Sequence, residues 1–346
     1  MLVLDEKQEA ALEALWSIKD GGGGLIGARM GAGKTVVMAE YIRRSGVQVV
    51  LIIGPLNTVR SWRRTLEGQG VTLPFHHLTS TKYEAYDLLK AGVPGIYYIG
   101  QEFLAKSVTK TAVRPSWKWG ATSRKIDLAI YDEVHGMQSR SSKRYNVTKG
   151  SKAKTRVAMS GTWFGNRFEG AWAICRWLWP ERTPVGFWAW VAEWATIEET
   201  VVMVQGEKET IQRVGDELIP GAFVESLPLY LTWYRDVGVE LLPPKILYVG
   251  MTPAQERAYK SMERDLMAWL DDQPLVAPVP IAKYMRLRQI SLGEPTVEWD
   301  EEEPEVWFKE NCASPKIDAL IEFAEEHEGP ILVLLDSAKL AKVVAS

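Results

Sequence analysis

The sequence predicts an α/β fold built on a central parallel sheet, and three observations carry that expectation. Apolar runs of strand length recur near Leu25, Val50, Ile96, Leu128 and Val157, with helical spacing between them. Leu25-Ile26 leads into a glycine-containing loop, after which Val36 to Arg44 repeats apolar residues at helical intervals. Lys125-Ile126-Asp127-Leu128-Ala129-Ile130-Tyr131 is mostly apolar throughout, as suits a strand covered on both faces rather than one.

The loop between the first strand and its helix, Ala28-Arg29-Met30-Gly31-Ala32-Gly33-Lys34-Thr35, has the composition of a phosphate cradle. Its glycines let consecutive backbone N–H groups turn inward around a phosphate chain, Lys34 reaches the β and γ oxygens, and the Thr35 hydroxyl ligates magnesium. The helix N-terminus that follows favours an anion through its unpaired N–H groups and its dipole. Ala28 stands where the usual pattern has glycine. The earlier run Gly21 to Gly24 reads as a flexible turn.

Asp132-Glu133-Val134-His135 closes the second apolar run, at the carboxyl end where open α/β sheets place ligands. Asp132 is the candidate magnesium ligand beside Thr35, and Glu133 the residue that orients and polarises an attacking water. Together the two segments predict an ATP hydrolase using Mg2+, with Lys34, Asp132 and Glu133 as catalytic candidates and Arg29 to Thr35 as the nucleotide cradle.

Charge is unevenly distributed around a net value of −3. Lys106, Lys110, Arg114, Lys118, Arg124 and Lys125 fall in a stretch without acids, as do Arg140, Lys143, Arg144, Lys149, Lys152, Lys154 and Arg156. Such segments can neutralise backbone phosphates without reading sequence. With Arg60, Arg63 and Arg64 they make Arg60, Arg63, Lys106, Arg140 and Lys143 the candidate nucleic-acid contacts. Asp300 to Glu305 is strongly acidic and reads as a solvated linker. Of the 15 tryptophans, seven lie between Trp163 and Trp194, in segments of helical character where packing is the better reading than base stacking. No apolar run reaches membrane-span length, and the charged N-terminus lacks a signal-peptide core, so a soluble, cytoplasmic protein is expected. Cys175 and Cys312 form no metal-ligand spacing, nor do the four histidines; His76 and His77 read as strand or surface residues.

The order of these and later segments resembles the Swi/Snf-type DNA translocases of helicase superfamily two. Gln8 occupies the place of their adenine-contacting glutamine, and Val50 to Leu56, with Trp62 downstream, is similar to motif Ia. Asp132 to His135 matches the DEAH-box position, which places His135 near the γ-phosphate. Ser160-Gly161-Thr162, followed by Trp163 in place of the usual proline, matches the segment coupling nucleotide to DNA. Pro243-Pro244-Lys245, Thr252-Pro253-Ala254-Gln255 with Tyr259, Leu287-Arg288-Gln289-Ile290 and Ser314-Pro315-Lys316-Ile317 follow in the family's order, whereas Tyr234-Arg235-Asp236 replaces its paired arginines and lysine.

The resemblance implies a RecA-like P-loop NTPase lobe, a helical insertion and the start of a second RecA-like lobe. The expected layout is residues 1–182 as lobe one, 183–250 as helical insertion, 251–310 as connecting helices and acidic linker, and 311–346 as an incomplete lobe two. Within it, Thr252 caps a helix running to Leu270, Pro274 to Pro280 is a loop, Ser314 to Glu326 and Ser337 to Ser346 are helices, and Pro330 to Leu335 is a buried strand. The implied activity is ATP-driven movement along double-stranded DNA, independent of sequence. A chain cut short in lobe two would hydrolyse slowly and call for a second chain to complete its site. The alternatives are a nucleotide-gated DNA-binding module and a viral packaging-motor ATPase.

Overall fold

The structure is a computed structural model that describes residues 2–79, 83–106, 125–151, 153–164, 168–204, 207–234, 243–270, 273–277, 280–300, 303–308, 312–335 and 337–345. Lys110, Arg114, Lys118, Arg124, Lys152, Arg235 and Asp236 therefore lie outside the described residues. The chain divides into two compact units, Met1–Val239 and Glu240–Ser346.

In the first unit α1 (Glu6–Leu15) leads to β1 (Gly22–Ile26), α2 (Lys34–Ser45), β2 (Val49–Gly54), α3 (Val59–Gly68) and β3 (Phe75–Leu78). There follow α4 (Tyr83–Ala91), β4 (Gly95–Gly100), α5 (Gln101–Lys106), β5 (Leu128–Asp132), α6 (Lys143–Thr148) and β6 (Thr155–Met159). Next come α7 (Gly170–Leu178), α8 (Phe187–Trp194), the hairpin strands β7 (Ala195–Val204) and β8 (Glu207–Glu217), α9 (Ala222–Glu225) and β9 (Tyr230–Leu231).

Seven strands form one sheet in the order β3-β4-β2-β5-β6-β1-β9, and every pairing in it is parallel. The α/β class and all five expected strands are therefore present. Alternate residues of each strand feed opposite cores, as the strand period of two requires. Val50, Ile52, Ile130 and Val157 pack under Val37, Met38, Tyr41 and Trp62 of α2 and α3. Leu51, Ile53, Tyr131 and Ala158 face Leu89, Ile174, Trp177 and Val191 of α4, α7 and α8. Trp172, Trp177, Trp179 and Trp190 are buried, which agrees with packing rather than base stacking for those rings.

Gly21 to Gly24 does not form a flexible turn, because Gly22 to Gly24 lie in β1. A Cβ on Gly23 would sit 2.4 Å from the Leu178 carbonyl oxygen, so glycine lets the end of α7 close onto the strand. Trp179 Nε1 donates to Gly23 O at 2.8 Å across the same contact.

The region expected as a helical insertion contains a long antiparallel hairpin, β7 paired with β8, after the short α8. Its Thr196, Ile197, Thr200, Val201, Val202, Thr210, Ile211 and Val214 are β-branched residues that favour pleated backbone. The same region returns β9 to the main sheet beside β1, so lobe-one architecture continues well past residue 182.

In the second unit, α10 (Pro253–Asp265) opens on the expected capping box, with Thr252 Oγ1 accepting from Gln255 N at 3.1 Å. It stops short of Leu270, because Leu266 turns left-handed at φ 58° and Met267–Leu270 is a strand, β10. β11 (Gln273–Val276) pairs with β10, in place of the expected loop. After α11 (Pro280–Leu292), β12 (Thr296–Asp300) and β13 (Glu303–Trp307) pair as antiparallel strands where the acidic composition predicts a linker. Val297 and Val306 are buried there, and alternation of acids with apolar residues suits a half-buried hairpin. α12 (Pro315–Glu326), capped by Ser314, and α13 (Ala338–Ala345) match expectation. Pro330 to Leu335 pairs with no described strand, and Leu332 and Leu334 are 83% and 84% exposed, so the expected buried strand is absent among the described residues.

Candidate nucleotide site at three neighbouring strand ends

Strands β5, β6 and β1 are adjacent in the sheet, and their carboxyl ends deliver three segments to one place. β1 leads into the loop 28–33. Gly31 and Gly33 hold φ +76° and +82°, the left-handed conformation that side chains disfavour. At Gly33 space is also lacking, since a Cβ would meet Gln8 Nε2 at 2.4 Å. Gly33 ends the loop as the N-cap of α2, and Val36 and Val37 N–H groups donate to its carbonyl.

Lys34 is 9% exposed and its ammonium donates to the loop carbonyls of Ala28 and Arg29 at 2.9 and 3.2 Å. Burial holds it below the usual lysine range, while the charges of Glu133 and Asp132 act in the opposite direction. The loop and the acid pair therefore share one electrostatic environment.

Asp132 ends β5 and is 7% exposed. Trp62 Nε1 donates to its Oδ2 at 2.8 Å and Glu133 N to its Oδ1 at 3.1 Å. Burial pushes this carboxyl above its ordinary range, against the opposing effect of the Trp62 hydrogen bond. The ionised Asp132 thus costs folding free energy above its raised pKa, and that cost is relieved as pH falls through it. Lys34 behaves as the mirror image, with its cost relieved as pH rises through the lowered pKa toward the ordinary lysine value.

Trp62 was legible as a motif residue but not as the holder of Asp132. A Trp62→Phe chain is expected to lose about 1.5–3 kcal/mol of stability, the range for a hydrogen bond to a charged group. It should also move the acidic limit of magnesium-dependent nucleotide binding to higher pH, because the opposing hydrogen bond is gone. Chemical denaturation and binding titrations across pH check both effects; an unchanged acidic limit would contradict this role for Trp62.

Glu133 adopts φ 52°, a left-handed position rare outside glycine and Asn/Asp, which bends the chain sharply out of β5. Its Oε2 accepts from Ser160 Oγ at 3.1 Å and lies 3.2 Å from His135 Nδ1. Ser160 follows β6, accepts from Thr162 N at 3.1 Å, and stands 3.1 Å from His135 Nδ1. Gly161 comes close to the phosphate loop, where a Cβ would lie 3.4 Å from Met30 N. Thus Lys34, Asp132, Glu133, His135, Ser160 and Gly161 are brought together.

Sequence reading did not single out Gln101. Its buried amide donates to the Asp132 and Glu133 carbonyls at 2.7 and 3.3 Å, supporting the turn from α5. Gln138 Nε2 donates to Trp163 O at 2.7 Å and so ties the acid segment to the one containing Ser160. Gln8 is buried, with Nε2 donating to Ala32 O at 3.0 Å and Oε1 accepting from Asp5 N at 3.1 Å.

The oxygen donors of Thr35 and Asp132 suit a hard cation such as magnesium, which characteristically takes one or two carboxylates and completes its shell with phosphate and water.

The nucleic-acid candidates are divided. Arg60, Arg63 and Arg64 are exposed on α3 and, with His77, line a depression of about 360 Å³. Lys143 is exposed at the start of α6, and Lys106 ends α5. The Arg140 guanidinium lies 4.2 Å from the Phe187 ring centroid and 5.5 Å from that of Trp188. Two basic residues are used internally instead. Arg156 donates to Trp177 O at 2.8 Å, and Lys125 Nζ donates to the carbonyls of Lys90 and Ala91 at the end of α4.

This arrangement defines a P-loop NTPase lobe. The chain belongs to the SNF2-related domain family, which matches residues 7–291. It is 23% identical over 179 residues to the SNF2 domain-containing protein CLASSY 4 of Arabidopsis thaliana, covering 44% of this chain and 16% of that protein. In fold it is similar to the Sulfolobus solfataricus SWI2/SNF2 ATPase core in complex with dsDNA, at a TM-score of 0.50 and 18% identity, covering 94% of this chain and 64% of that one. No described helix is long and apolar enough to cross a membrane.

Proposed function

We propose that the chain hydrolyses ATP with Mg2+ and uses the cycle to move along double-stranded DNA without reading its sequence. The observation carrying this reading is the meeting of Lys34, Asp132, Glu133 and Ser160 at three neighbouring strand ends. Family membership and the likeness to a core complexed with dsDNA support the choice of DNA. The exposed arginines of α3 supply cations for phosphate contact.

In this reading the backbone N–H groups of 31–35 surround the phosphates, and the Lys34 ammonium exchanges the Ala28 and Arg29 carbonyls for β and γ oxygens. Thr35 and Asp132 would hold magnesium, which supplies charge neutralisation at the transferring phosphoryl group. Glu133 orients a water for in-line attack on the γ-phosphorus and receives its proton as the bond to the leaving β-phosphate oxygen breaks. Ser160 and His135 fix the Glu133 carboxylate. Ser160 and Trp163 lie on one short segment tied to Gln138, so movement of Glu133 would be felt along that segment.

Displacement of a third strand from duplex DNA tests translocation itself. ATP-dependent displacement that Glu133→Gln abolishes is expected. DNA-stimulated hydrolysis without displacement would leave a DNA-activated ATPase and overturn the movement.

A further inference from the structure

We infer that the nucleobase stacks on the Tyr234 ring, in the cleft between α1 and the segment that follows β9; the inference rests on the nucleotide reading above. The cleft has a volume of about 910 Å³ and is lined by Lys7, Ala11, Arg29, Thr232, Trp233 and Tyr234 among others. That is ample for a base and ribose.

The phosphate loop forms one side of this cleft through Arg29, so a nucleotide whose phosphates lie in the loop has room there for its other end. Gln8 does not offer its amide freely to that space, since its Nε2 is bonded to Ala32 O and its Oε1 to Asp5 N. Strand β9 continues β1's edge, and the chain beyond it stays laced to the loop. Arg29 N donates to Trp233 O at 3.3 Å, and Trp233 Nε1 donates to Ala32 O at 2.8 Å, the same carbonyl that Gln8 uses. Trp233 is thereby buried as an anchor, while the next residue, Tyr234, is left 61% exposed beside the loop.

The Tyr234 ring is exposed and its face already attracts a cation, because Lys7 Nζ lies 3.7 Å from its centroid and donates to the Tyr234 carbonyl at 3.4 Å. A base arriving on that face displaces the ammonium, which then lies with Arg29 near an anionic ligand. Stacking on an aromatic ring recognises the base without demanding particular hydrogen-bonding edges.

The test titrates wild type, Tyr234→Ala and Tyr234→Phe with ATP and with inorganic tripolyphosphate, all with magnesium present. Tyr234→Ala is expected to weaken ATP roughly 5- to 150-fold, the range for loss of one stacked base. It should leave tripolyphosphate affinity unchanged, and Tyr234→Phe should match wild type for both. Undiminished ATP binding by Tyr234→Ala would overturn the inference. Equal weakening of ATP and tripolyphosphate would overturn it too, placing the effect in the loop. Wild type binding neither compound would instead sink the nucleotide reading, and this inference with it.

Discussion

A Lys34→Ala chain is expected to lose ATP affinity by roughly 30- to 5,000-fold, corresponding to about 2–5 kcal/mol for truncating one partner of a buried charged contact. The side chain is almost fully enclosed and already points its ammonium into the loop, at the Ala28 and Arg29 carbonyls. Its charge is therefore positioned before any anion arrives, and little reorganisation is needed to meet phosphate oxygens. The fold should survive, because burial disfavours this ammonium and its removal relieves that cost. Asp132 loses a favourable neighbour and its carboxyl should rise further from the ordinary range. Calorimetric titration with ATP, beside a thermal melt to confirm folding, checks the outcome. Wild-type affinity in a folded Lys34→Ala chain would refute the assignment of the loop.

Glu133→Gln separates binding from chemistry. Turnover is expected to fall by roughly 10²- to 10⁴-fold, the usual contribution of a positioned general base, with ATP affinity changed only a few-fold. The amide is nearly isosteric, and its oxygen can still accept from Ser160 Oγ, so the contact to β6 is kept. What disappears is the ability to take the water proton. Single-turnover hydrolysis combined with nucleotide titration resolves the two effects. Hydrolysis at the wild-type rate would remove Glu133 from the mechanism, whereas a parallel loss of ATP affinity would make it a binding residue.

Much of this site is local and therefore readable from the chain. A strand, two glycines, Lys34-Thr35 and a helix form one continuous element, and the acids follow directly on an apolar strand. Features that depend on long-range contact are not local. The Trp62 indole reaches Asp132 across 70 positions and the Trp233 indole reaches Ala32 across 201. No spacing rule marks either bond, and neither tryptophan differs locally from one that only packs.

The misreadings have equally specific causes. Between 183 and 250 the tryptophan spacing suits helices, whereas the density of β-branched residues from Thr196 onward suits the hairpin. The charge of Asp300 to Glu305 suits a solvated linker, but the flanking Val297 and Val306 supply a buried cross-strand pair. Gly21 to Gly24 shows the converse error, since small residues can mark close packing as well as freedom. Arg156 and Lys125 show that a basic residue in an acid-free stretch can spend its hydrogen bonds on helix carbonyls.

The coupling of nucleotide to DNA is tested most directly by ATP turnover of the purified chain, with magnesium, in the presence and absence of duplex DNA. The expected result is turnover that rises on addition of duplex and is lost in Glu133→Gln. Turnover that is indifferent to duplex DNA, in a chain that binds ATP, would contradict a DNA-driven motor and leave a nucleotide site without its proposed partner.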